Sequence, residues 1–203
     1  CEDITLPGAE GDRAARIYIP FAAAPTGPGL LFLHGGGFTI GSLESHHEIC
    51  QRIAAVSGLR VVSYDYRLAP EHPFPAGLDD SLAAFDAIKV GALNSYGFDP
   101  AHLAVGGDSA GGNFSAVIAQ ERRGADGPQI QLLIYPLLQL QEIKRNSKRW
   151  QDGPMLSREI LTQIRRHYLA EDQARDDVRV SPLFQTDLKG VAPQWRRAWP
   201  ARP

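Results

Sequence analysis

The sequence predicts an α/β domain in which a mostly parallel β-sheet is flanked by helices. Short apolar segments typical of strands alternate along the chain with longer segments whose apolar residues recur at helical spacing. Several strand segments are continuously apolar, as expected for parallel strands that are buried on both faces. A length of 203 residues is sufficient for one domain with a substantial core.

The first part of the chain contains a predicted hairpin, a helix and two buried strands. Residues 3–7 and 15–20 alternate between polar and apolar side chains around a glycine-bearing turn, which predicts a β-hairpin. The apolar residues 29–37 and 60–66 predict buried strands. Residues 45–58, which lie between them, carry apolar residues at helical spacing and predict a helix.

The middle of the chain continues this alternation after one irregular segment. The proline-rich residues 67–77 predict a loop, since prolines remove hydrogen-bond donors and disfavour helix. The pattern then predicts helix, strand, helix and strand in turn, over residues 78–90, 102–107, 110–123 and 129–136.

Beyond residue 136 the pattern becomes looser. Residues 140–154 are charged and predict an excursion over the sheet. Residues 157–170 begin with a Ser-x-Glu pattern and predict an amphipathic helix.

Composition and charge exclude several classes of function. The formal net charge of −2 gives no electrostatic reason to expect a nucleic acid or an anionic membrane as partner. Cys1 and Cys50 are the two cysteines, so neither a disulfide framework nor a metal site is expected. No apolar run reaches the length of a membrane span, and we expect a cytoplasmic protein with a small-molecule substrate. Because the chain begins with Cys1 and not with methionine, a signal peptide stays an open alternative. The sequence predicts no particular oligomeric state.

Residues 107–111, with the sequence GDSAG, carry the first candidate for chemistry. They match the G-x-S-x-G pattern, and a predicted strand precedes them while a predicted helix follows. This setting is typical of a nucleophile elbow, in which the serine lies on a tight strand-to-helix turn with its hydroxyl exposed. Ser109 is therefore the candidate nucleophile, and the alternative is an ordinary glycine-rich turn.

Residues 34–38, with the sequence HGGGF, indicate a partner for that serine. Acyl transfer places negative charge on the former carbonyl oxygen, and glycines after a strand allow backbone N–H groups to face it. We predict Gly35 and Gly36 as oxyanion donors together with the N–H of Ala110, and Gly37 is a further candidate. The alternative is a flexible loop. His34 precedes the serine and is expected to shape the loop and not to act as base.

Five segments in this order resemble the hormone-sensitive-lipase-like α/β-hydrolases, the group of bacterial carboxylesterases and acetyl esterases. The segments are HGGGF (34–38), DYRLAPEHPFPA (65–76), GGDSAGGN (106–113), LLIYP (132–136) and RVSPL (179–183). The resemblance implies an α/β-hydrolase fold over about residues 3–193. It also implies hydrolysis of carboxylic esters with short or medium acyl chains, without a cofactor or metal.

The same resemblance implies roles for individual residues. Ser109 would be the nucleophile of the site. Gly35, Gly36 and Ala110 would form the oxyanion hole. Three acidic residues that patterning alone would place on the solvated surface would instead be structural and brace the proline loop and the helix after it: Glu71, Asp79 and Asp80.

The acid and the histidine of a catalytic triad are missing from the predicted site. In this fold they follow the serine in the order acid, then histidine. His167 is the one histidine after Ser109, and it lies inside the predicted helix 157–170. Asp152 and Glu159 precede His167, but neither follows an apolar strand. We therefore predict that neither triad partner is present in this chain.

The last ten residues, 194–203, differ in composition from the rest. Two of the three tryptophans and three arginines occur in QWRRAWPARP, without strand periodicity. Our hypothesis is a reading-frame slip near Pro193, so that residues 1–193 form a partial α/β-hydrolase domain that lacks the last strands and an N-terminal lid. A strand of the sheet would then be left as an unpaired edge.

The leading functional hypothesis is a serine carboxylesterase domain whose activity is impaired in this chain. Two alternatives remain open at this point. A ligand-binding protein on the same fold would also lack triad residues, although it has less need of Ser109 and the HGGG segment. An amidase or peptidase on this scaffold would share all the visible residues.

Overall fold

The fold was analysed in a computed structural model, which describes residues 1–142, 157–169 and 175–197. The strands of these residues form one seven-stranded sheet. They are β1 (Glu2–Gly8), β2 (Gly11–Tyr18), β3 (Gly27–Leu33), β4 (Arg60–Tyr64), β5 (Phe98–Asp108), β6 (Gln131–Ile134) and β7 (Gln194–Arg197). Their spatial order is β1-β2-β4-β3-β5-β6-β7.

The predicted hairpin and the predicted parallel sheet are both confirmed. β1 pairs antiparallel with β2, and β2 pairs antiparallel with β4. Every other pair of neighbouring strands, from β4 to β7, is parallel. The result is a mixed, mostly parallel sheet whose strands β3 and β5 lie near its centre.

Four α-helices of the described residues flank the sheet, and all four were predicted. They are α1 (His47–Ser57), α2 (Ala76–Lys89), α3 (Ser109–Glu121) and α4 (Arg158–Tyr168). The helix α4 begins where its Ser-x-Glu pattern predicted, because the Ser157 hydroxyl accepts a hydrogen bond from the Ile160 N–H at 3.2 Å. The predicted excursion over residues 140–154 lies outside the described residues from residue 143 onwards.

The core lies on both faces of the central strands. Leu31 and Leu33 of β3 pack in the larger cluster, with residues of α2 and α3. Leu30 and Phe32 point to the opposite face and pack with residues of α1. All four side chains are at most 1% exposed, which is why the sequence of β3 is continuously apolar.

Residues 194–203 show no strand periodicity in the sequence, but they begin with a strand. β7 (Gln194–Arg197) pairs in parallel with β6, so β6 is not the unpaired edge that the sequence led us to expect. The physical reason is that pairing uses backbone N–H and C=O groups, which four residues can supply without alternation of their side chains. Residues 198–203 lie outside the described part of the chain.

Two of the three acidic residues with implied structural roles form buried or partly buried ion pairs. Asp80 is 0% exposed and accepts hydrogen bonds from the Arg67 guanidinium at 2.8 and 2.9 Å and from the Ala9 N–H at 2.9 Å. Asp79 pairs with Arg179. Glu71 is exposed, and no hydrogen bond joins it to another described residue. The structural role is therefore confirmed for Asp79 and Asp80 only.

Candidate active site

Ser109 lies on a strained turn between the end of β5 and the beginning of α3. Its φ is 50°, in the left-handed region that residues with a Cβ avoid. The side chain is partly exposed, whereas the residues on both sides are buried. A hydrogen bond of 3.0 Å from the Leu137 N–H to the Ser109 carbonyl holds the turn. This geometry is that of a nucleophile elbow, as the motif predicted.

The glycines of the motif are required by close approach of the backbone. A Cβ on Gly107 or on Gly111 would overlap with the carbonyl oxygen of Leu33, the last residue of β3. The first turn of α3 therefore packs directly against the end of the neighbouring strand. This contact brings Ser109 beside the loop that follows β3, where the HGGGF segment lies.

That loop presents two free backbone amides in a left-handed conformation. Gly36 has a φ of 120° and Gly37 a φ of 61°, and Phe38 follows with 65°. Within the described residues, the amides of Gly36, Gly37 and Ala110 donate no hydrogen bond. Ala110 is in the first turn of α3, where backbone N–H groups have no partner within the helix.

The structure removes Gly35 from the set of candidate oxyanion donors. Its N–H donates a hydrogen bond of 2.9 Å to Oδ1 of Asp108, so it is not free to bind a substrate oxygen. Sequence reasoning could not foresee this, since the acceptor is 73 residues away. The candidate oxyanion donors are therefore the amides of Gly36, Gly37 and Ala110, and we replace Gly35 by Gly37 in the candidate site.

Asp108, which precedes the serine, connects several parts of the site. Its carboxylate lies 3.1 Å from His46 Nε2, and it accepts a hydrogen bond of 3.2 Å from the Tyr135 hydroxyl, besides the Gly35 amide. Burial opposes ionisation of Asp108, but these hydrogen bonds outweigh it and hold its pKa below the usual range. The carboxylate is therefore charged at neutral pH and acts as a fixed acceptor.

His34 has the role that the sequence predicted for it. The ring is buried and stacks on Tyr66 at a centroid distance of 4.3 Å, and its Nδ1 lies 2.8 Å from the Gly35 carbonyl oxygen. Burial lowers the pKa of His34. The side chain therefore supports the loop and does not face Ser109.

Helix α4 lies over the same loop. A Cβ on Gly37 would come within 2.6 Å of Ile164 Cδ1, and the Phe38 ring stacks on Tyr168 at 3.8 Å between centroids. Gly37 is therefore needed both for its φ and for this close packing. Contact of α4 with the loop was not predicted, because nothing in the amphipathic pattern says which surface the helix covers.

No base for Ser109 is found in the described residues. All six histidines of the chain are described, and none forms a hydrogen bond with Ser109. His167 is exposed on α4, as expected for a surface residue. Of the two acids considered with it, Glu159 is exposed on α4 and Asp152 lies outside the described residues.

Sequence reasoning missed three residues that support the site: Asp108, His46 and Tyr135. Asp108 occupies the first of the two variable positions of G-x-S-x-G, so the sequence already placed a carboxylate next to the nucleophile. His46 occurs in a short polar segment before α1 and carries no comparable signal. Tyr135 lies just after β6, with a φ of 37°.

The described residues offer few features of other kinds of site. Among them, no group of three or more His, Cys, Asp or Glu side chains could hold a metal ion. Both cysteines are free, with Cys1 exposed and Cys50 buried. None of the described helices has the length and apolar character needed to cross a bilayer.

Comparison with known proteins gives a consistent result. A profile of the α/β hydrolase fold matches residues 30–195. A carboxylic ester hydrolase of Mycobacterium tuberculosis is 39% identical over 198 residues, which cover 94% of this chain and 52% of that protein. An ethyl acetate hydrolase of Pseudomonas putida is 34% identical over 197 residues, which cover 94% of this chain and 62% of that protein.

A solved structure shows the same arrangement of elements. The hyperthermophilic esterase of the archaeon Pyrobaculum calidifontis matches with a TM-score of 0.87 at 38% identity, covering 96% of this chain and 63% of that one. This chain thus spans between about half and two thirds of the length of these proteins. The resemblance to hormone-sensitive-lipase-like hydrolases is confirmed, and the chain belongs to the α/β hydrolase fold family.

Proposed function

We propose that this chain carries the nucleophile and the oxyanion hole of a serine esterase that hydrolyses carboxylic esters through an acyl-enzyme. The observation that carries the proposal is the placement of Ser109, on a strained turn, beside a loop with free amides at Gly36 and Gly37. The free N–H of Ala110 adds a third donor. Relatives that are named as carboxylic ester hydrolases support the same reaction.

The chemistry follows from this arrangement. Ser109 Oγ attacks the ester carbonyl carbon while its proton passes to a base, and the carbonyl oxygen becomes an oxyanion. The amides of Gly36, Gly37 and Ala110 bind that oxyanion, each contributing about 3 kcal/mol to stabilisation of the transition state. The alcohol then leaves with a proton, and water hydrolyses the acyl-serine to release the acid and regenerate Ser109.

The proposed substrates are esters with short or medium acyl chains. The ethyl acetate hydrolase among the relatives supports the short end of this range. Helix α4 supports it too, because Ile164 lies against Gly37 and leaves the oxyanion loop covered on that side. Location in the cytoplasm stays a prediction from the sequence.

We further propose that turnover by this 203-residue chain is slow, since none of its histidines hydrogen-bonds Ser109. An oxyanion hole without a base retains about 10³- to 10⁴-fold acceleration over water in related serine hydrolases. The proposed function therefore predicts acylation without rapid turnover.

The test separates acylation from turnover. The chain and its Ser109→Ala variant are incubated with a fluorophosphonate probe and with p-nitrophenyl acetate, butyrate and decanoate. We expect slow labelling, mapped by mass spectrometry to Ser109, and acetate hydrolysis that the variant loses. Equal labelling and equal hydrolysis by the two proteins would overturn the assignment of Ser109.

A chimeric chain tests the missing base. Residues after Pro193 are replaced by the corresponding C-terminal part of the Mycobacterium tuberculosis relative. We expect ester hydrolysis to rise by about 10³-fold, the contribution of a serine base in such sites. An unchanged rate in a folded chimera would contradict the proposal that the triad acid and histidine are what this chain lacks for catalysis.

The absence of a base among the described residues also favours a second candidate, a protein that binds an ester-like ligand without hydrolysing it. Such a protein would bind a p-nitrophenyl ester reversibly and show no labelling of Ser109. Hydrolysis of anilides at rates comparable to esters would instead favour the amidase alternative.

A further inference from the structure

The oxyanion loop is attached to the same carboxylate oxygen at both of its ends. At its beginning, the Gly35 N–H donates to Asp108 Oδ1 at 2.9 Å. At its other end, 11 residues later, His46 Nε2 lies 3.1 Å from the same oxygen. Residues 35–46 therefore form a loop whose two ends are joined by Asp108, the residue immediately before Ser109.

The direction of these hydrogen bonds follows from the chemistry of the acceptor. An ionised carboxylate only accepts, so the nitrogen that contacts it must carry a proton. His46 Nε2 therefore donates to Asp108, and it cannot at the same time accept from the Gly35 N–H, which lies 3.3 Å away. The Gly35 proton goes to Asp108 as well.

The other side of the His46 ring is also held. Its Nδ1 lies 2.8 Å from the Ser45 hydroxyl. That hydroxyl in turn accepts from the Ser42 N–H at 2.9 Å and lies 3.0 Å from the Ser42 carbonyl oxygen. The His46 imidazole thus connects the polar turn at Ser42–Ser45 to the Asp108 carboxylate beside the nucleophile.

The segment between Gly35 and His46 needs support from contacts outside it. Phe38 has a φ of 65°, a conformation that a residue with a Cβ keeps only where surrounding contacts impose it, and the two glycines before it leave the backbone free to move unless it is held. Inside the loop, the Ile40 N–H donates to the Gly36 carbonyl at 3.1 Å, which fixes the turn but not its position relative to Ser109. Phe38 holds the middle of the loop, since its carbonyl accepts from the Ala69 N–H at 2.9 Å and its ring packs on Phe114 and Tyr168. The two attachments to Asp108 hold the ends of the loop.

We propose that His46 is a positioning residue of the site: by closing the loop onto Asp108, it sets the amides of Gly36 and Gly37 relative to Ser109. The inference deepens the proposed function and rests on it for its catalytic consequence. His46 acts through Asp108 and the loop, and it contacts neither Ser109 nor the three amides that would bind the oxyanion.

Amide hydrogen exchange in the 203-residue chain tests the proposal. The substitutions at position 46 differ in whether the new side chain can place a hydrogen-bond donor within reach of Asp108. Gln places a donor at the level of the His46 Nε2 atom, whereas Asn stops at the level of Nδ1 and cannot reach Asp108. The variants are His46→Gln, His46→Asn and His46→Ala. The control is His47→Ala, which removes the adjacent ring that contacts the Tyr18 hydroxyl at 3.1 Å and has no contact with Asp108.

We expect exchange at Gly35 and Ile40, whose N–H groups are hydrogen-bonded, to accelerate about tenfold in His46→Ala and His46→Asn, as for loss of one hydrogen bond from a local opening equilibrium. In His46→Gln and His47→Ala it stays near that of the parent chain. Exchange at Leu103 and Val105 in β5 reports whether each variant is folded. Unchanged loop exchange in His46→Asn, or equal acceleration in His47→Ala, would overturn the proposal.

A spectroscopic measurement on the parent chain decides the matter even where a variant does not fold. We expect the Nε2 proton of His46 to give an observable resonance in ¹⁵N-resolved spectra, because its bond to Asp108 slows exchange with water. Absence of that resonance, with the chain folded, would contradict the bond on which the proposal rests. Ser109→Ala should leave the resonance and the loop exchange unchanged, so a failed esterase assay and a failed positioning role give different results.

Discussion

The two sides of strand β5 are held together in different ways. Toward β1 and β4, the Arg67–Asp80 pair is almost fully buried, with side-chain exposures of 8% and 0%, and it also fixes the Ala9 N–H at the turn between β1 and β2. Toward β6 and β7, the Arg123–Asp187 pair joins the segment after α3 to the segment before β7, with side-chain exposures of 29% and 70%. The Arg67–Asp80 pair is shielded from water, whereas water screens the Arg123–Asp187 pair.

The location of the candidate site is consistent with this difference. Ser109 and the oxyanion loop extend from the carboxyl ends of β5 and β3, and the last five residues of each of these strands are buried. A nucleophile and its donors must be held within fractions of an ångström, which requires rigid supporting elements. The side of the sheet formed by β6 and β7 contributes one hydrogen-bond donor to the Asp108 carboxylate, the hydroxyl of Tyr135 just after β6.

The largest effect is expected from Asp80→Ala. Removing one member of a buried pair typically lowers the free energy of unfolding by about 3 to 5 kcal/mol, and here it leaves the Arg67 guanidinium with only the exposed Glu10 as a charged partner. Urea denaturation followed by circular dichroism measures the change. A loss below about 1 kcal/mol, the range of exposed pairs, would show that this side of the sheet is not held by the buried pair.

The same pair gives stability a defined dependence on pH. Burial alone would raise the pKa of Asp80, but Arg67 and the backbone N–H groups of Ala9 and Arg67 outweigh it and hold the pKa below its usual range. A carboxyl whose pKa is lower in the folded state stabilises the fold above its unfolded pKa of about 3.9, and this stabilisation is lost as the pH falls through the folded value. Asp80→Asn should remove that part of the acid dependence. An identical loss of stability on acidification in both proteins would argue against it.

Gly111→Ala should have the next largest effect. The new Cβ would overlap with the Leu33 carbonyl, a backbone atom that cannot move without displacing β3, and we expect a loss of about 3 kcal/mol. Gly58→Ala is the matched control: its φ of 74° is strained for alanine, but the space around it is open, so it should lose about 1 kcal/mol. Equal losses in urea denaturation would mean that packing at the elbow is looser than the contact indicates.

These residues also show how far sequence alone could lead. The central strands were predictable because Leu31 and Phe32 belong to a continuously apolar run, and Ser109 because its motif lies between a strand and a helix. β7 was not, since a short edge strand needs only backbone pairing and leaves no side-chain pattern. The role of Asp108 depends on contacts with Gly35 and His46 that only the tertiary structure brings together. The frame slip near residue 193 stays a prediction.

A smaller effect, of opposite sign, is expected at the nucleophile. Ser109 has a φ of 50°, which disfavours any residue with a Cβ and which glycine adopts freely. Ser109→Gly should therefore be more stable than Ser109→Ala by about 0.5 to 1 kcal/mol, after allowance for the greater freedom of glycine in the unfolded chain. Thermal unfolding of the two variants measures this. If Ser109→Ala is the more stable of the two, the elbow is not strained in solution.

The smallest effect should come from Asp187→Asn, on the outer side of the sheet. The backbone N–H of Lys189 and, after it, the Arg123 guanidinium lower the pKa of Asp187, but the carboxylate is fully exposed and its attraction to Arg123 is screened by water and salt. Asn retains an oxygen that can accept from the Lys189 N–H, so the turn at 187–189 is preserved. We expect the urea midpoint to be unchanged within error at both low and high salt. A clear loss at low salt that disappears at high salt would show that this exposed pair does hold the outer strands, and the contrast between the two sides of β5 would then be one of degree.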